Sequence, residues 1–235
     1  MLTAKAIKTR IYNKENKLID FLTNELGGEN LEGKILAITS KIVSLSEKRL
    51  ILKKSVDKNE LIKKEADIYL GETLYDIHLT IKDGLIIPSA GIDESNIKED
   101  AYLLYPKDPF TSAKRIYMQL KEKLSLNNFG IILTDSTTTP LKRGVTGTCL
   151  SYYGFEALEN KVGDTDLFGN HLKHTYINKA EAIAATATLT MGEGNDCKPL
   201  CIVNTDVVFR EFNCKNEQYI PIAEDIYSPL FKELL

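Results

Sequence analysis

The sequence lacks the features that mark several large classes of protein. It contains only four cysteines in 235 residues, and no apolar run approaches the roughly 20 residues of a membrane-spanning helix. Four cysteines in a chain of this length do not form a disulfide scaffold, so we expect buried thiols in a reducing compartment. Because the amino-terminal segment also lacks the apolar stretch of a signal peptide, we predict a cytoplasmic protein with no membrane partner.

A strong excess of charge is also missing. The formal net charge is −3, and acidic and basic residues are interspersed along the chain. A nucleic-acid-binding surface would require a basic excess, so we predict no nucleic-acid partner. Repeats, low-complexity tracts and linkers are absent from the sequence as well. We therefore expect one unit over residues 1–235, built either as one large domain or as two intertwined lobes.

Paired zinc ligands are not evident. His171 and His174 are separated by two residues, and Cys197 and Cys201 by three, and no second C-x-x-C pair accompanies them. Neither spacing is typical of a structural zinc site. We favour the interpretation that the two cysteines flank a turn at residues 198–199 over the alternative of a zinc site.

The periodicity of apolar residues predicts an α+β fold with mixed sheets and flanking helices. Helices are predicted over residues 13–26 and 57–69, from Asp108 to residues 127–128, and over residues 179–191 and 220–235. Strands are predicted at residues 35–38, 131–133, 146–155, 172–176 and 200–204, with a hairpin over residues 77–88 that turns at Asp83 and Gly84.

The segment of residues 129–148 has the composition of an active-site edge. An apolar run ends at Leu133, and Asp135 follows the change to polar residues. Ligands gather outside the carboxyl ends of strands in open α/β sheets, so Asp135 at a strand end would be placed to hold a metal or a metal-bound phosphate. The alternative is that Asp135 only caps the following turn. Lys142 and Arg143 follow beside glycines and could donate hydrogen bonds to phosphate oxygens.

Three other polar segments also have two interpretations. Ser40 and Lys41 follow a predicted strand and suit a nucleotide phosphate, although Lys41 could equally be a solvated surface charge. Residues 93–96 concentrate oxygen ligands for a hard cation, or form an Asx turn. Residues 192–196, with Glu193 between two glycines, could wrap phosphates or ligate a metal, or could be a helix cap followed by a turn.

The acids of these segments, combined with their cations, suggest one chemistry. Asp93, Asp135 and Glu193 each follow an apolar or glycine-flanked element, and together they could hold one or two divalent cations. Ser40, Lys41 and the cationic pair at residues 142–143 add donors. Nucleotide-dependent group transfer, in which metals bridge phosphates and cations neutralise developing charge, fits this set.

Six motifs, spread over nearly the whole chain, carry a family resemblance. They are LAITSKIVSLSEKR (36–49), AGIDESN (90–96), LLYP with the following D-P near Asp108, GIILTDS with KRGVTG (130–147), D-x-x-G-x-x-L-x-x-T from Asp166 to Thr175, and MGEGND (191–196). In this content and order, the sequence resembles the coenzyme F420-0:L-glutamate ligases, also called F420 gamma-glutamyl ligases.

This resemblance implies a GTP-dependent amide ligase with the F420 gamma-glutamyl ligase-like fold, which acts as a homodimer and uses two divalent metals, Mg²⁺ or Mn²⁺. Carried over by motif, Asp93 and Asp135 would hold one metal, and Ser136 and Glu193 the other. The nucleotide would contact residues in three of the motifs, namely Ser40, Lys41, Asn96, Met191, Gly192, Gly194, Asn195 and Asp196.

The resemblance also implies a mechanism. The γ-phosphoryl group of GTP would activate a small-molecule carboxylate, such as that of F420-0, as an acyl phosphate, and the amino group of L-glutamate would attack it. Lys142 and Arg143 would stabilise charge on the phosphoryl oxygens. Positioning and charge stabilisation supply most of the rate in such transfers.

The sequence departs from the family pattern at two places. Leu45 stands where the family usually has lysine, and Thr138 and Thr139 stand where it usually has Gly-Arg. Hydroxyls do not replace the planar, permanently charged guanidinium of arginine. The alternatives are therefore a ligase that acts on a different carboxylate, such as a folate or a peptide, a non-catalytic nucleotide-binding relative, and a metal-dependent hydrolase.

Overall fold

The structure, a computed structural model, describes residues 1–234 and contains twelve strands, six α-helices and four short 3₁₀ helices in that range. The strands are β1 (Thr3–Ile7), β2 (Lys34–Thr39), β3 (Leu50–Leu52), β4 (Ile68–Glu72), β5 (His78–Lys82), β6 (Leu85–Pro88), β7 (Ala101–Leu103), β8 (Phe129–Thr138), β9 (Val145–Tyr153), β10 (Leu158–Asn160), β11 (Tyr176–Asn178) and β12 (Leu200–Asn204). The helices are α1 (Leu18–Leu26), α2 (Ser40–Ser46), α3 (Lys58–Glu65), α4 (Pro109–Leu124), α5 (Lys179–Met191) and α6 (Lys215–Gln218). None of the helices within residues 1–234 is long and apolar enough to cross a membrane.

A five-stranded mixed sheet organises these elements. Its strand order is β1-β12-β2-β8-β9, in which β2 and β8 are parallel and the other neighbours are antiparallel. Three smaller antiparallel sheets, β4-β5-β6, β3-β7 and β10-β11, accompany it. The predicted α+β class with mixed sheets and flanking helices is therefore confirmed.

Helices cover both faces of the large sheet, because the side chains of its central strands alternate between two apolar clusters. In β2, Leu36 and Ile38 pack with apolar residues of α1, α2 and α4. Ile35 and Ala37, one residue out of phase, pack with the alanine-rich face of α5. Successive side chains of a strand point to opposite faces, so an almost continuous apolar run identifies a strand that is buried on both sides.

The register between β2 and β8 positions the candidate site. Thr39 pairs with Thr134 at the end of the parallel ladder, and α2 begins at the next residue, Ser40. Strand β8 instead continues to Thr138 along β9. Residues 40–41 and Asp135 therefore leave the parallel ladder side by side, at one edge of the sheet.

Several predicted helices are confirmed, and others begin or end elsewhere. Helix α5 has the predicted bounds, and α4 begins after Asp108, whose carboxylate accepts from the Thr111 backbone N–H at 3.0 Å. The first helix begins at Leu18 rather than Asn13, because Asn13 closes a turn and accepts from the Asn16 N–H at 2.9 Å. The helix predicted over residues 57–69 ends at residue 65, since the β-branched and aromatic residues that follow pair with β5.

Most of the predicted strands were correct in position, but one is too short and one is displaced. The strand predicted at residues 131–133 extends to Thr138, so the prediction that Asp135 ends a strand is wrong. The β-branched threonines that follow Leu133 extend the ladder with β9. The strand predicted to start at Leu172 starts at Tyr176, because the Leu172 N–H donates to Asp164 in a loop.

The helix predicted over residues 220–235 is also wrong within the described residues. Two short 3₁₀ segments, Ile222–Glu224 and Ser228–Leu234, replace it. Pro221 and Pro229 interrupt the segment, and proline cannot donate the backbone hydrogen bonds of a continuous helix. The last residue of the prediction, Leu235, lies outside the described residues.

Gly147 of β9 provides a test of how closely α5 packs on the sheet. A Cβ atom at this glycine would overlap the side chain of Thr188 and lie against the Ala184 backbone oxygen. We expect Gly147→Ala to lower the free energy of unfolding by about 1–3 kcal/mol, because β9 and α5 would have to move apart. Urea denaturation measures this change. Gly194→Ala is the control, since its Cβ would meet only a carboxylate oxygen of Asp196, at an ordinary contact distance of 3.7 Å, and its φ is ordinary; an equal loss in both variants would contradict the packing explanation.

Candidate active site

Three chain segments meet beside the end of the parallel β2–β8 ladder. The first is the start of α2, at Ser40 and Lys41. The second is the continuation of β8 through Asp135. The third is the loop after α5, which returns to the sheet where the Thr39 N–H donates to the Pro199 carbonyl oxygen at 3.0 Å.

The loop that carries Asp93 reaches the same place through an unusual backbone. Ser89, Ala90 and Gly91 have consecutive positive φ angles of 50°, 54° and 70°. The Ala90 N–H donates to the buried Thr80 hydroxyl at 2.9 Å, which holds this turn against the β5–β6 hairpin. Non-glycine residues adopt positive φ only when their surroundings hold them there, so the direction in which the loop leaves the hairpin is fixed.

Lys41 lies among the acidic residues of these segments. Its ammonium forms an ion pair with Asp93 and donates to the Ser95 hydroxyl at 3.0 Å. Burial lowers the pKa of Lys41, while the negative charges of Asp135 and Glu193 oppose this change. Lys41 therefore interacts electrostatically with an acid from each of three separate segments, and the interpretation of it as a solvated surface charge is wrong.

Asp135 is held by a buried hydroxyl. The Tyr105 hydroxyl donates to Asp135 Oδ2 at 2.6 Å, and the Tyr105 residue is only 6% exposed. Burial raises the pKa of Asp135, and the charge of Glu193 adds to this effect. The Tyr105 hydrogen bond, the charge of Lys41 and the Ser136 backbone N–H act in the opposite direction and favour the carboxylate.

The Asp93 loop and the loop after α5 also contact each other directly. The Asn96 side-chain amide donates to the Gly194 carbonyl oxygen at 3.3 Å. Gly192 has a φ of 83°, and the Asp196 carboxylate occupies the space that a Cβ atom at Gly192 would need. A side chain at this position would therefore displace Asp196, so the second loop depends on its glycine.

Comparison with known proteins identifies the family. The family described as F420-0:Gamma-glutamyl ligase matches residues 6–205. The chain belongs to this family. It is 33% identical over 195 residues to the coenzyme F420:L-glutamate ligase of Methanococcus maripaludis strain C7, and the aligned region covers 75% of this chain and 78% of that protein. It is 32% identical over 220 residues to the coenzyme F420:L-glutamate ligase of Archaeoglobus fulgidus, and the aligned region covers 87% of this chain and 88% of that protein.

The residues that the family resemblance implicates fall into two groups in the structure. Asp93, Asp135 and Glu193 approach Lys41, and Asn96 contacts the loop of residues 192–196. Ser40 is buried at the start of α2, and Met191 is buried at the end of α5. Ser136 pairs with Gly147 on β9, directly after Asp135, and Asn195 is exposed in the loop after α5.

Lys142 and Arg143 are not brought into this cluster. Both residues are exposed at the turn between β8 and β9, and neither side chain forms an ion pair among residues 1–234. Thr138 and Thr139 lie at the base of the same turn and are also exposed. Leu45, where the family resemblance leads us to expect lysine, is partly buried and packs against the core beneath α2.

The chemistry of the acidic cluster fits a hard divalent cation. Carboxylate and hydroxyl oxygens, which Asp93, Asp135, Glu193 and Ser136 provide, are the ligands that Mg²⁺ and Mn²⁺ prefer. Within the described residues, however, no three acidic, histidine or cysteine side chains surround one point closely enough to form a metal site. The Lys41 ammonium instead supplies the positive charge, so metal binding would require rearrangement of the Lys41–Asp93 ion pair.

Tyr105 is the functional candidate that the sequence patterns did not indicate. It lies in the LLYP motif, two residues after Leu103, whose backbone exchanges two 2.9 Å hydrogen bonds with Asp93. The signal was present as a tyrosine in an otherwise apolar run, where phenol groups need a buried partner. Its partner, Asp135, is 30 residues away in the sequence, so only the fold identifies the pair.

The variant Asp135→Asn tests how much the charge of Asp135 lowers the free energy of unfolding. Because the pKa of Asp135 is raised, the folded protein binds this proton more tightly than the unfolded chain, and this contribution to stability is lost as the pH rises through the folded-state pKa. The amide does not titrate. In urea denaturation with a metal chelator, we expect the stability of Asp135→Asn relative to wild type to increase from about pH 4 to about pH 7.

The control for this measurement is Asp76→Asn. Asp76 is exposed in the β4–β5 turn and has a φ of 55°, which asparagine also tolerates. Its stability relative to wild type should change little over the same pH range. A relative stability of Asp135→Asn that decreases with rising pH would contradict the raised pKa.

Proposed function

We propose that this protein is a nucleotide-dependent amide ligase that adds L-glutamate to a small-molecule carboxylate, F420-0 or a related acceptor. The convergence of Asp93, Asp135 and Glu193 on Lys41 carries this proposal. Acids that could hold metal-bound phosphates and a lysine that could contact phosphate oxygens occur at one sheet edge, in a chain whose relatives are named coenzyme F420:L-glutamate ligases.

Two divalent cations, Mg²⁺ or Mn²⁺, are part of the proposal. Asp93 and Asp135 would hold one, and Ser136 and Glu193 the other. When bound, such cations neutralise phosphate charge and orient the nucleotide. The proposed nucleotide, GTP, would contact Lys41 and the loop of residues 191–196.

The remaining nucleotide contacts follow from the positions of two loops. Ser40 begins α2 next to Lys41, and Asn96 joins the Asp93 loop to Gly194. A nucleotide bound to both loops would hold them together, as the hydrogen bond from the Asn96 amide to the Gly194 carbonyl oxygen already does. The exposed backbone of Gly192, Gly194, Asn195 and Asp196 is accessible to phosphate oxygens.

The proposed reaction has two steps. An oxygen of the acceptor carboxylate attacks the γ-phosphorus of GTP and displaces GDP, which forms an acyl phosphate. The amino nitrogen of L-glutamate then attacks the acyl carbon, phosphate leaves with the electron pair of the C–O bond, and the nitrogen loses a proton. Lys142 and Arg143 would stabilise the phosphoryl oxygens, because the β8–β9 turn that carries them extends directly from the strand of Asp135.

The proposal extends to the state of the protein in the cell. We propose a cytoplasmic protein in which residues 1–235 form one catalytic unit and which, as the family resemblance implies, is a homodimer. A second acceptor class is favoured by one observation: Thr138 and Thr139 are exposed at the base of the β8–β9 turn, where the family usually has Gly-Arg. A carboxylate of a folate or a peptide is therefore the alternative acceptor.

Turnover with defined components tests the proposed reaction. The protein, GTP, Mn²⁺ and L-glutamate are incubated with F420-0, a folate or a peptide carboxylate, and products are measured by mass spectrometry. We expect a mass increase of one glutamyl unit that requires every component. Asp135→Asn should reduce this turnover by about 100-fold or more, because a buried charge next to the phosphates is lost.

Asp76→Asn, which makes the same change in an exposed turn, should retain full activity. A normal rate for Asp135→Asn would contradict the proposal. Nucleotide binding without product for any acceptor would favour a non-catalytic relative, and substrate breakdown without nucleotide would favour a metal-dependent hydrolase.

The β8–β9 turn has its own test. We expect the double variant Lys142→Ala/Arg143→Ala to lower kcat by about 100-fold, since it removes two cations proposed to face developing charge. Both side chains are exposed, so the melting temperature should stay close to that of wild type. Lys173→Ala, an exposed cation in another loop, is the control. Unchanged kcat in the double variant would exclude the proposed role of this pair.

A further inference from the structure

Tyr105 connects two parts of the candidate site, the strand that carries Asp135 and the loop that carries Asp93. Its hydroxyl donates to Asp135 Oδ2 at 2.6 Å, on the large sheet. Its ring lies against Gly91, two residues before Asp93, so closely that a Cβ atom at Gly91 would overlap the ring. One buried side chain therefore contacts both the strand of Asp135 and the loop of Asp93.

The loop of Asp93 is fixed relative to Tyr105 by backbone hydrogen bonds as well. The N–H and carbonyl groups of Asp93 and Leu103 are joined by two hydrogen bonds of 2.9 Å. Leu103 precedes Tyr105 by two residues, so the position of Asp93 and the position of the Tyr105 ring are set by the same short strand pairing. The positive φ angles of Ser89, Ala90 and Gly91 direct the chain into this pairing.

The backbone around Tyr105 is held by hydrogen bonds with Arg49. Arg49 Nε donates to the Tyr105 carbonyl oxygen at 2.9 Å, and Arg49 also forms an ion pair with Glu65 at 2.8 Å. The Leu104 N–H donates to the Arg49 carbonyl oxygen at 3.0 Å. With its backbone held by Arg49 and its ring against Gly91, Tyr105 directs its hydroxyl to Asp135 Oδ2.

We propose that Tyr105 is a positioning residue that orients the Asp135 carboxylate toward Asp93, so that both can ligate one divalent cation. This inference rests on the proposed function, because it assigns Asp93 and Asp135 to a shared metal. The hydroxyl fixes Asp135 Oδ2, and the ring maintains the distance between β8 and the Asp93 loop. Hydrogen bonds from outside the ligand sphere commonly orient ligating carboxylates, and their loss typically weakens metal binding about 10- to 100-fold.

Tyr105→Phe tests this role, because it removes the hydroxyl and keeps the ring against Gly91. Binding of Mn²⁺ alone, without nucleotide, is measured by electron paramagnetic resonance of the free ion. We expect the dissociation constant to rise about 10- to 100-fold. Tyr117→Phe is the matched control, since it removes a phenol hydroxyl from a buried tyrosine of α4 that stacks on Phe129, and its Mn²⁺ affinity should equal that of wild type.

A second measurement separates positioning from a general loss of structure. In the ligase assay, Tyr105→Phe should require about 10- to 100-fold more Mn²⁺ for half-maximal activity, while kcat at saturating Mn²⁺ returns toward the wild-type value. In the Asp135→Asn background, Tyr105→Phe should have no further effect on Mn²⁺ binding, because its partner carboxylate is already absent.

The outcomes distinguish this inference from the proposed function. If the wild type binds Mn²⁺ and Tyr105→Phe binds it with the same affinity, the role of Tyr105 is overturned and the proposed ligase function is unaffected. A lack of Mn²⁺ binding by the wild type would overturn the metal site of the proposed function, and this inference with it. A fall in kcat that saturating Mn²⁺ does not reverse would also contradict the positioning role.

Discussion

The positive charge of Lys41 among the acids of three chain segments is the interaction on which the candidate site depends. Asp93 follows the β5–β6 hairpin, Asp135 lies within β8, and Glu193 follows α5, so no local sequence signal brings them together. Carboxylates that approach one another at one edge of a sheet repel each other, and a nearby cation reduces this repulsion. Lys41 provides this cation from the start of α2, next to the last pair of the parallel ladder.

This arrangement is unfavourable for stability and is maintained by the rest of the fold. Burial lowers the pKa of Lys41 and raises that of Asp135, so for both groups desolvation outweighs the attraction between opposite charges. The apolar layers on the two faces of β2 and β8 offset this cost. Sites that carry unfavourable charges on a rigid, well-packed sheet are typical of proteins in which function conflicts with local stability.

Features with local causes could be predicted from the sequence, whereas features that depend on pairing could not. The turn at Asp83 and Gly84, the cap at Asp108 and the bounds of α5 all follow from neighbouring residues. The length of β8 depends on its partner β9, and periodicity in one strand does not contain that information. For the same reason the sequence identified Asp135 as a candidate ligand but placed it at a strand end, and it did not indicate Tyr105 at all.

The departures from the family pattern acquire a physical meaning from their positions. Thr138 and Thr139 lie on the exposed part of the β8–β9 turn, several residues beyond Asp135 and outside the buried contacts of Lys41 and Tyr105. Substitutions on an exposed turn alter what the turn contacts without disturbing the packed elements beneath it. In the proposed reaction, binding of the metals and the nucleotide depends on the sheet edge, whereas Thr138 and Thr139 of the turn bear on recognition of the acceptor. A change of acceptor therefore requires no change in the acids around Lys41, and all three of these acids lie in motifs that carry the family resemblance.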